Sequence, residues 1–221
     1  MSARREIELK RLLVGKDAGD KIVAALGGRV ARDTIQLNYL FDTAGHALRR
    51  VRCSLRLRKA GGAAFLTAKG PPRGVARSTG SKVEAEVEID PRLAGRILAG
   101  QVDPLVALRR RLPDPGYDPL WRAIDRARGT RALRESGHYE NRRRTVRVRL
   151  PSGRRLAVEI DRTWFPGGRV DDEIEIELPS EAAAPEVERW LDDVVRKAAV
   201  RAKRSSPKVA RFYASRSRGR R

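Results

Sequence analysis

Seven segments of this chain alternate an apolar residue with a charged or polar one, and that period of two constrains its fold more than any other feature. Ile7 and Leu9 alternate with Glu6, Glu8 and Lys10. Val51, Leu55 and Leu57 alternate with Arg52, Arg56 and Arg58, and Leu66 and Ala68 with Thr67 and Lys69. Val83, Ala85, Val87 and Ile89 alternate with Glu84, Glu86 and Glu88. Further on, Val146, Val148 and Leu150 oppose Arg143, Arg147 and Arg149, and Val158 and Ile160 oppose Glu159 and Asp161. Ile174, Ile176 and Leu178 oppose Glu173, Glu175 and Glu177. Short segments with this alternation are strands with one apolar and one charged face.

The plain consequence is an antiparallel sheet with its apolar side on helices and its charged side in water. Two features point to another arrangement. The charged faces are almost purely Glu/Asp or Arg/Lys, where a solvated face mixes in Thr, Ser and Gln. The signs also sort by strand, with acids on the first and last segments and arginines between them. A sheet curled into a barrel with these faces inward would set acids against bases, offsetting the several kcal/mol that each buried charge costs. Carboxylates in such a lumen suit a hard divalent cation bound through oxygen. Guanidinium and ammonium groups suit phosphate oxygens. A metal bridging acids and substrate would polarise a phosphoryl group for attack by water.

The rest of the chain fits around these strands. "DTIQLNYLFDT" (33–43) is a further strand, and Gly61-Gly62 joins strands at about 51–59 and 63–69 into a hairpin. "PPRGVARSTGSK" (71–82) is a basic loop. Helices are predicted at 17–28, in a Pro-punctuated stretch from 91 to about 135, at 184–204 and at 206–216. Strands, a helical interlude, strands and then helices define an α+β fold. The expected organisation is a single domain over 1–216 with a helical insert at about 91–135 covering the apolar barrel face, and a basic disordered tail at 217–221. That cover, or a second copy of the chain, would shield the apolar face, so both monomer and homodimer fit.

Composition narrows the function. Lys and Arg number 49 against 28 acids, a net charge of +21 that attracts polyanions. One cysteine, Cys53, excludes an internal disulfide, and two histidines give little support to a His-based metal centre or a Ser/His/Asp triad. "GGAAFLTAKGPP" lacks the Gly-Lys-Ser/Thr of a phosphate-binding loop. No apolar run approaches the roughly 18 residues a bilayer demands, and the first residues carry no signal-peptide pattern, so a cytoplasmic protein is expected.

Seven motifs in order resemble one family. "EIELK" resembles the Glu-x-Glu-x-Lys opening of CYTH domains, the triphosphate tunnel metalloenzymes, and "QLNYLFDT" the family's second strand with its aromatic-Phe-Asp-Thr turn. "SLRLRKAGGAAFLTAKG", "VEAEVEI", "LAVEID", "EIEIEL" and "SPKVARFY" follow in the family's order. The resemblance implies an eight-stranded antiparallel barrel, a tunnel with a charged interior flanked by helices, acting on triphosphates with Mg2+ or Mn2+. It implies catalytic and metal-side carboxylates at Glu6, Glu8, Glu175 and Glu177, with Asp161 and Glu173 as further metal ligands. It implies phosphate-binding residues at Lys10, Arg56, Arg58, Lys69, Arg143, Lys208 and Arg211, the last two on a C-terminal helix that closes over the tunnel. Water activation falls to the metal or to an acid such as Glu6 or Glu175.

Within the family the outcomes are inorganic triphosphatase, thiamine triphosphatase, RNA triphosphatase and class IV adenylate cyclase. With aromatics at 5%, no platform for a ring stands out, which favours inorganic triphosphate cut to pyrophosphate and phosphate. The alternative from another class is a non-catalytic module for polyphosphate or nucleic acid, motivated by the charge of +21 and the "SRSRGRR" end.

Overall fold

The computed structural model describes the backbone of residues 4–70 and 79–218 and the side chains of residues 7–70 and 83–216. Among the described residues nine strands and seven α-helices form an α+β fold. The strands are β1 (Arg4–Val14), β2 (Arg32–Asp42), β3 (Ser54–Ala60), β4 (Ala63–Lys69), β5 (Thr79–Ile89), β6 (Arg134–Arg149), β7 (Arg155–Trp164), β8 (Val170–Glu177) and β9 (Arg201–Arg204). Their order in the sheet is β5-β4-β3-β2-β6-β7-β8-β1-β9. Among the described residues the sheet thus has nine strands where eight were expected, and β5, first in this order, also pairs with β1.

The chain divides into two compact units. The first comprises, among the described residues, 4–6, 36–70 and 81–139. Here the apolar faces of β3, β4 and β5 supply Leu55, Leu57, Leu66, Ala68 and Ala85, all buried. Against them pack α2 (Ala47–Arg50), α3 (Pro91–Leu98), α4 (Pro104–Arg109) and α5 (Asp118–Arg128) through Leu48, Ile97, Leu105, Leu108, Leu120 and Ile124. The helices α3, α4 and α5 thus pack on the apolar face of β3, β4 and β5. Asp-Pro pairs start these helices: the Asp90 side chain accepts from the Arg92 amide, and Asp103 from the amides of Leu105 and Val106. Proline at the first helical position forfeits only an N–H with no partner there. Asp42 clamps the small α2, accepting from the amides of Thr43 at 2.7 Å, Leu48 at 2.8 Å and Arg49 at 3.0 Å.

The second unit comprises, among the described residues, 7–35, 79–80 and 140–218. Leu9, Val146, Val158, Ile160, Ile174 and Ile176 line one sheet face. They meet Ile22 of α1 (Ala18–Ala25) and Val187, Leu191 and Val194 of α6 (Ala184–Lys197). α7 (Lys208–Arg218) closes the chain.

Three sequence expectations are corrected. Val51 and Arg52 belong to a turn rather than β3: Arg52 has φ 59°, and Val51 is exposed. β6 begins at Arg134, so residues 134–141, read as the end of the helical insert and an unassigned stretch, are strand. The helix expected at 184–204 stops at Lys197; Ala199 takes φ 51°, and residues 201–204 pair antiparallel with β1 as a ninth strand. The short, charged β9 makes a poor template for a further chain. The side chain of Glu6, the loop side chains at 71–82 and those of the basic end from 217 lie outside the described residues. No helix among the described residues is long and apolar enough to cross a membrane.

Candidate active site

In the second unit, strand parity places opposite the apolar core a face built from β1, β6, β7 and β8. In register, Lys10 opposes Glu175, Glu175 opposes Glu159, Glu173 opposes Asp161, and Asp161 opposes Arg143. Neighbours of this kind stand close enough for their side chains to meet. Asp161, Glu173 and Glu175 are all buried. Buried carboxylates demand partners, and each has them. Arg143 grips Asp161 through two nitrogens, at 2.8 and 2.6 Å, and reaches Glu175 at 2.7 Å and Glu159. Lys10 spans Glu175 at 2.8 Å and Glu8 at 2.9 Å.

α7 completes the network from above β8. The Lys208 ammonium lies 2.8 Å from Asp161 and also contacts Glu173 and Glu175. One turn on, Arg211 donates to Asp171 at 2.8 Å and to Glu173 at 2.7 Å. Ser205, just before the helix, donates to Glu173 as well. Arg169 pairs with Asp171 at 3.0 Å. Six carboxylates (Glu8, Glu159, Asp161, Asp171, Glu173, Glu175) are thus interleaved with five cations (Lys10, Arg143, Arg169, Lys208, Arg211) in a chain that carries +21 overall.

The charge states follow. Burial alone would raise the Glu175 carboxyl, but Lys10, Lys208 and Arg143 outweigh it and hold the group well below the usual carboxylate range. Asp161 behaves likewise: burial opposes ionisation, yet Arg143 and Lys208 bring it down to about 2. Burial would strip the Lys10 ammonium of its proton, but Glu175, Glu8 and Glu173 hold it well above the ordinary lysine value. Glu159 goes the other way, raised by burial and by Glu175 and Asp161 despite Arg143.

The first unit carries a network of its own. Arg58 donates to both oxygens of Glu86, at 3.1 and 3.2 Å, and lies over the Phe65 ring with 5.2 Å to its centroid. Thr67 donates to Glu86 at 2.6 Å, Arg56 lies 3.7 Å from the same carboxylate, and Lys69 pairs with Glu84 at 3.1 Å. Burial would raise Glu86, but Arg58, Thr67 and Arg56 lower it.

Of the residues expected from the sequence, the second unit brings together Glu8, Lys10, Arg143, Asp161, Glu173, Glu175, Lys208 and Arg211. Arg56, Arg58 and Lys69 share the charged face of β3 and β4 in the first unit. Glu177 is exposed at the last position of β8. Sequence reasoning missed Asp171, Arg169 and Ser205. Asp171 was within reach, since it shares the parity of Glu173 and Glu175; Ser205 carried no signal, because only the folded position of α7 brings it to Glu173.

Carboxylate oxygens of Asp161, Glu173 and Glu175 lie within 4.8 Å of one another, a set able to hold a metal ion. The donors are oxygen only, which fits Mg2+ or Mn2+ and not a Cys- or His-rich zinc site. The Lys208 ammonium touching all three acids shows that a cation is accommodated among them.

This is an α+β protein whose sheet presents interleaved carboxylates and cations on one face and a helix-covered apolar core on the other. The model of the CYTH domain matches residues 4–213, and the chain belongs to the CYTH family. Among solved structures it is similar to HpAC1 from Hippeastrum, a protein named for adenylyl cyclase that reveals a dominant triphosphatase activity. The two are 25% identical over 95% of each chain, with a TM-score of 0.74. A Bacillus halodurans protein named for adenylate cyclase shares the fold at 18% identity, TM-score 0.64, over 95% of this chain and 98% of that one. A Pyrococcus horikoshii protein does so at 18% identity, TM-score 0.56, over 97% and 99%. No curated protein matches the chain.

Proposed function

We propose that this protein is a divalent-metal-dependent hydrolase of triphosphate chains, with inorganic triphosphate cut to pyrophosphate and phosphate as its leading reaction. The observation that carries the reading is the buried set of Asp161, Glu173 and Glu175, held against Lys10, Arg143 and Lys208. A passive anion binder has no use for acids at its centre, whereas phosphoryl transfer needs them to hold a metal and needs bases to hold the phosphates. The activity named for the Hippeastrum protein supports the same reaction class.

In this reading Asp161, Glu173 and Glu175 hold Mg2+ or Mn2+, with Glu8, Glu6 and Glu177 as the remaining acids of the two strands. When bound, the ion supplies Lewis-acid polarisation of a phosphoryl oxygen. Lys10, Arg143 and Lys208 orient phosphate oxygens and neutralise the charge that grows on the leaving group. Arg211 fixes α7 to Asp171 and Glu173, which keeps the Lys208 ammonium at the acids. Arg56, Arg58 and Lys69 are further phosphate ligands. The proton of the attacking water would pass to an acid such as Glu6, since Glu175, held well below the usual carboxylate range by Lys10, Lys208 and Arg143, is the weaker base. The reaction belongs in the cytoplasm.

Adenylate cyclase is the second reading, since two of the similar structures carry that name. Phe65 on the charged face of β4 already has its ring covered by Arg58, which weighs against a stacked nucleobase there. The test is phosphate release from tripolyphosphate, ATP and thiamine triphosphate, each with Mg2+ and Mn2+. Tripolyphosphate turning over fastest is expected. Absence of turnover with either ion across alkaline pH sinks the enzyme reading, and cyclic AMP from ATP makes the protein a cyclase.

A further inference from the structure

In the acid cluster of the second unit each carboxylate oxygen has a donor of its own. Arg143 donates from Nε to Asp161 Oδ1 at 2.8 Å and from a terminal nitrogen to Glu175 Oε2 at 2.7 Å. Ser205 donates to Glu173 Oε1. The other three oxygens, Asp161 Oδ2, Glu173 Oε2 and Glu175 Oε1, converge on the Lys208 Nζ, which lies 2.8 Å from the first and contacts the other two. Each of them also meets a second cation, Arg143, Arg211 and Lys10 in turn. Among the described residues only Lys208 touches all three acids.

An ion held by all three acids through these oxygens must come to the place where the Lys208 Nζ lies. Two cations do not share one set of oxygens at contact distance, because their repulsion is strongest where water is excluded. The Lys208 side chain is 12% exposed, so the acids and not water satisfy its ammonium. Its departure does not unseat α7, which has other anchors. Arg211 holds Asp171 at 2.8 Å and Glu173 at 2.7 Å and lies over the Phe165 ring, 5.6 Å from the centroid, and Phe212 is fully buried. Lys208 is the first residue of α7, and a lysine carries its charge on a flexible four-carbon stem. The side chain can therefore leave the acids while the helix stays.

We infer that Lys208 and the divalent ion bind Asp161, Glu173 and Glu175 in alternation, the ammonium holding the three acids together until the ion displaces it. Lys208 then becomes available to phosphate only once the acids have been taken by metal, which links the two binding events. The exchange rests on these acids being the metal site proposed above, but not on hydrolysis, since no substrate takes part in it.

Mn2+ alone is titrated into wild type, Lys208→Met, Lys10→Met and Glu173→Gln, with the free ion read by electron paramagnetic resonance. Lys208→Met keeps the stem and removes the competitor, so Mn2+ should bind about tenfold tighter or more, as for two linked sites. Lys10→Met removes the same charge beside Glu175 and Glu8 but frees only one of the three oxygens, and its gain should be clearly smaller. In wild type, the Lys208 ammonium is followed by nitrogen NMR as Mg2+ is added; its signal should shift and its protons exchange faster with water as the ion saturates. Equal gains in the two lysine variants mark mere net charge and overturn the exchange. Unchanged or weaker Mn2+ binding in Lys208→Met, or a Lys208 signal unmoved by saturating Mg2+, also overturns it, and the metal site stands if Glu173→Gln loses Mn2+. Mn2+ binding as tight in Glu173→Gln as in wild type overturns the metal site at these acids and the exchange with it.

Discussion

Asp161→Asn removes one charge from the network while keeping the shape of the side chain. Asp161 is fully buried, with Arg143 at 2.6 and 2.8 Å and Lys208 at 2.8 Å. A carboxyl held at about 2 in the folded protein, against an ordinary 3.8, is favoured in its charged form by roughly 2 to 3 kcal/mol. Removing one member of a buried pair usually costs about 3 to 5 kcal/mol. The smaller figure applies here, because Arg143 keeps Glu175 and Glu159 while Lys208 keeps Glu173 and Glu175. For a chain of this length about 2 to 3 kcal/mol corresponds to a fall in Tm of roughly 5 to 10 °C. Because the folded carboxyl titrates below the unfolded one, its contribution is full above the ordinary 3.8 and is lost as pH falls towards 2. Thermal melts with a chelator present should therefore show a constant gap between wild type and variant from pH 7 to 5, closing in more acidic buffer. A variant as stable as wild type at pH 7, or a gap that widens in acid, refutes the pairing.

Other outcomes follow from the same structure. Leu9→Ala empties a fully buried position between β1 and the aliphatic residues of the second unit, and should cost about 2 to 5 kcal/mol in urea unfolding. Arg58→Ala leaves Glu86 with the more distant Arg56 and takes one cation from the proposed phosphate ligands; the KM for tripolyphosphate should rise about tenfold or more, with a smaller change in kcat. Asp42→Ala removes the carboxylate that accepts from the amides of Thr43, Leu48 and Arg49 and should lower Tm by several degrees, through a loss of about 1 to 3 kcal/mol.

The parts of this protein written most plainly in its sequence are those where apolar and charged residues alternate without interruption. Ile174 and Ile176 had to share one face and Glu173 and Glu175 the other, and a strand has no second way to sort them. Segments whose conformation comes from their surroundings were not legible. Residues 134–141, "RESGHYEN", have no β-branched residue and contain a glycine, and the pairing of Glu140 and Asn141 with β7 makes their end a strand. Residues 201–204 continue a helix-forming composition, but the Val200 amide bonds back to Val195 and the left-handed Ala199 redirects the chain to the edge of β1. In the site, parity named the acids but could not rank them. Glu173 proved the more enclosed, held by Ser205, Lys208 and Arg211, because α7 lies over that end of β8. Glu177, on the same parity, falls where the strand ends and is exposed.

The central claim is that the buried acids serve metal-dependent turnover and not anion binding, and Glu175→Gln tests it. Phosphate release from tripolyphosphate with Mg2+ or Mn2+ should fall about a hundredfold or more, while tripolyphosphate binding measured without metal holds or tightens as a negative charge leaves. A variant that still releases phosphate at the wild-type rate, or a wild type whose release ignores a chelator, contradicts the account.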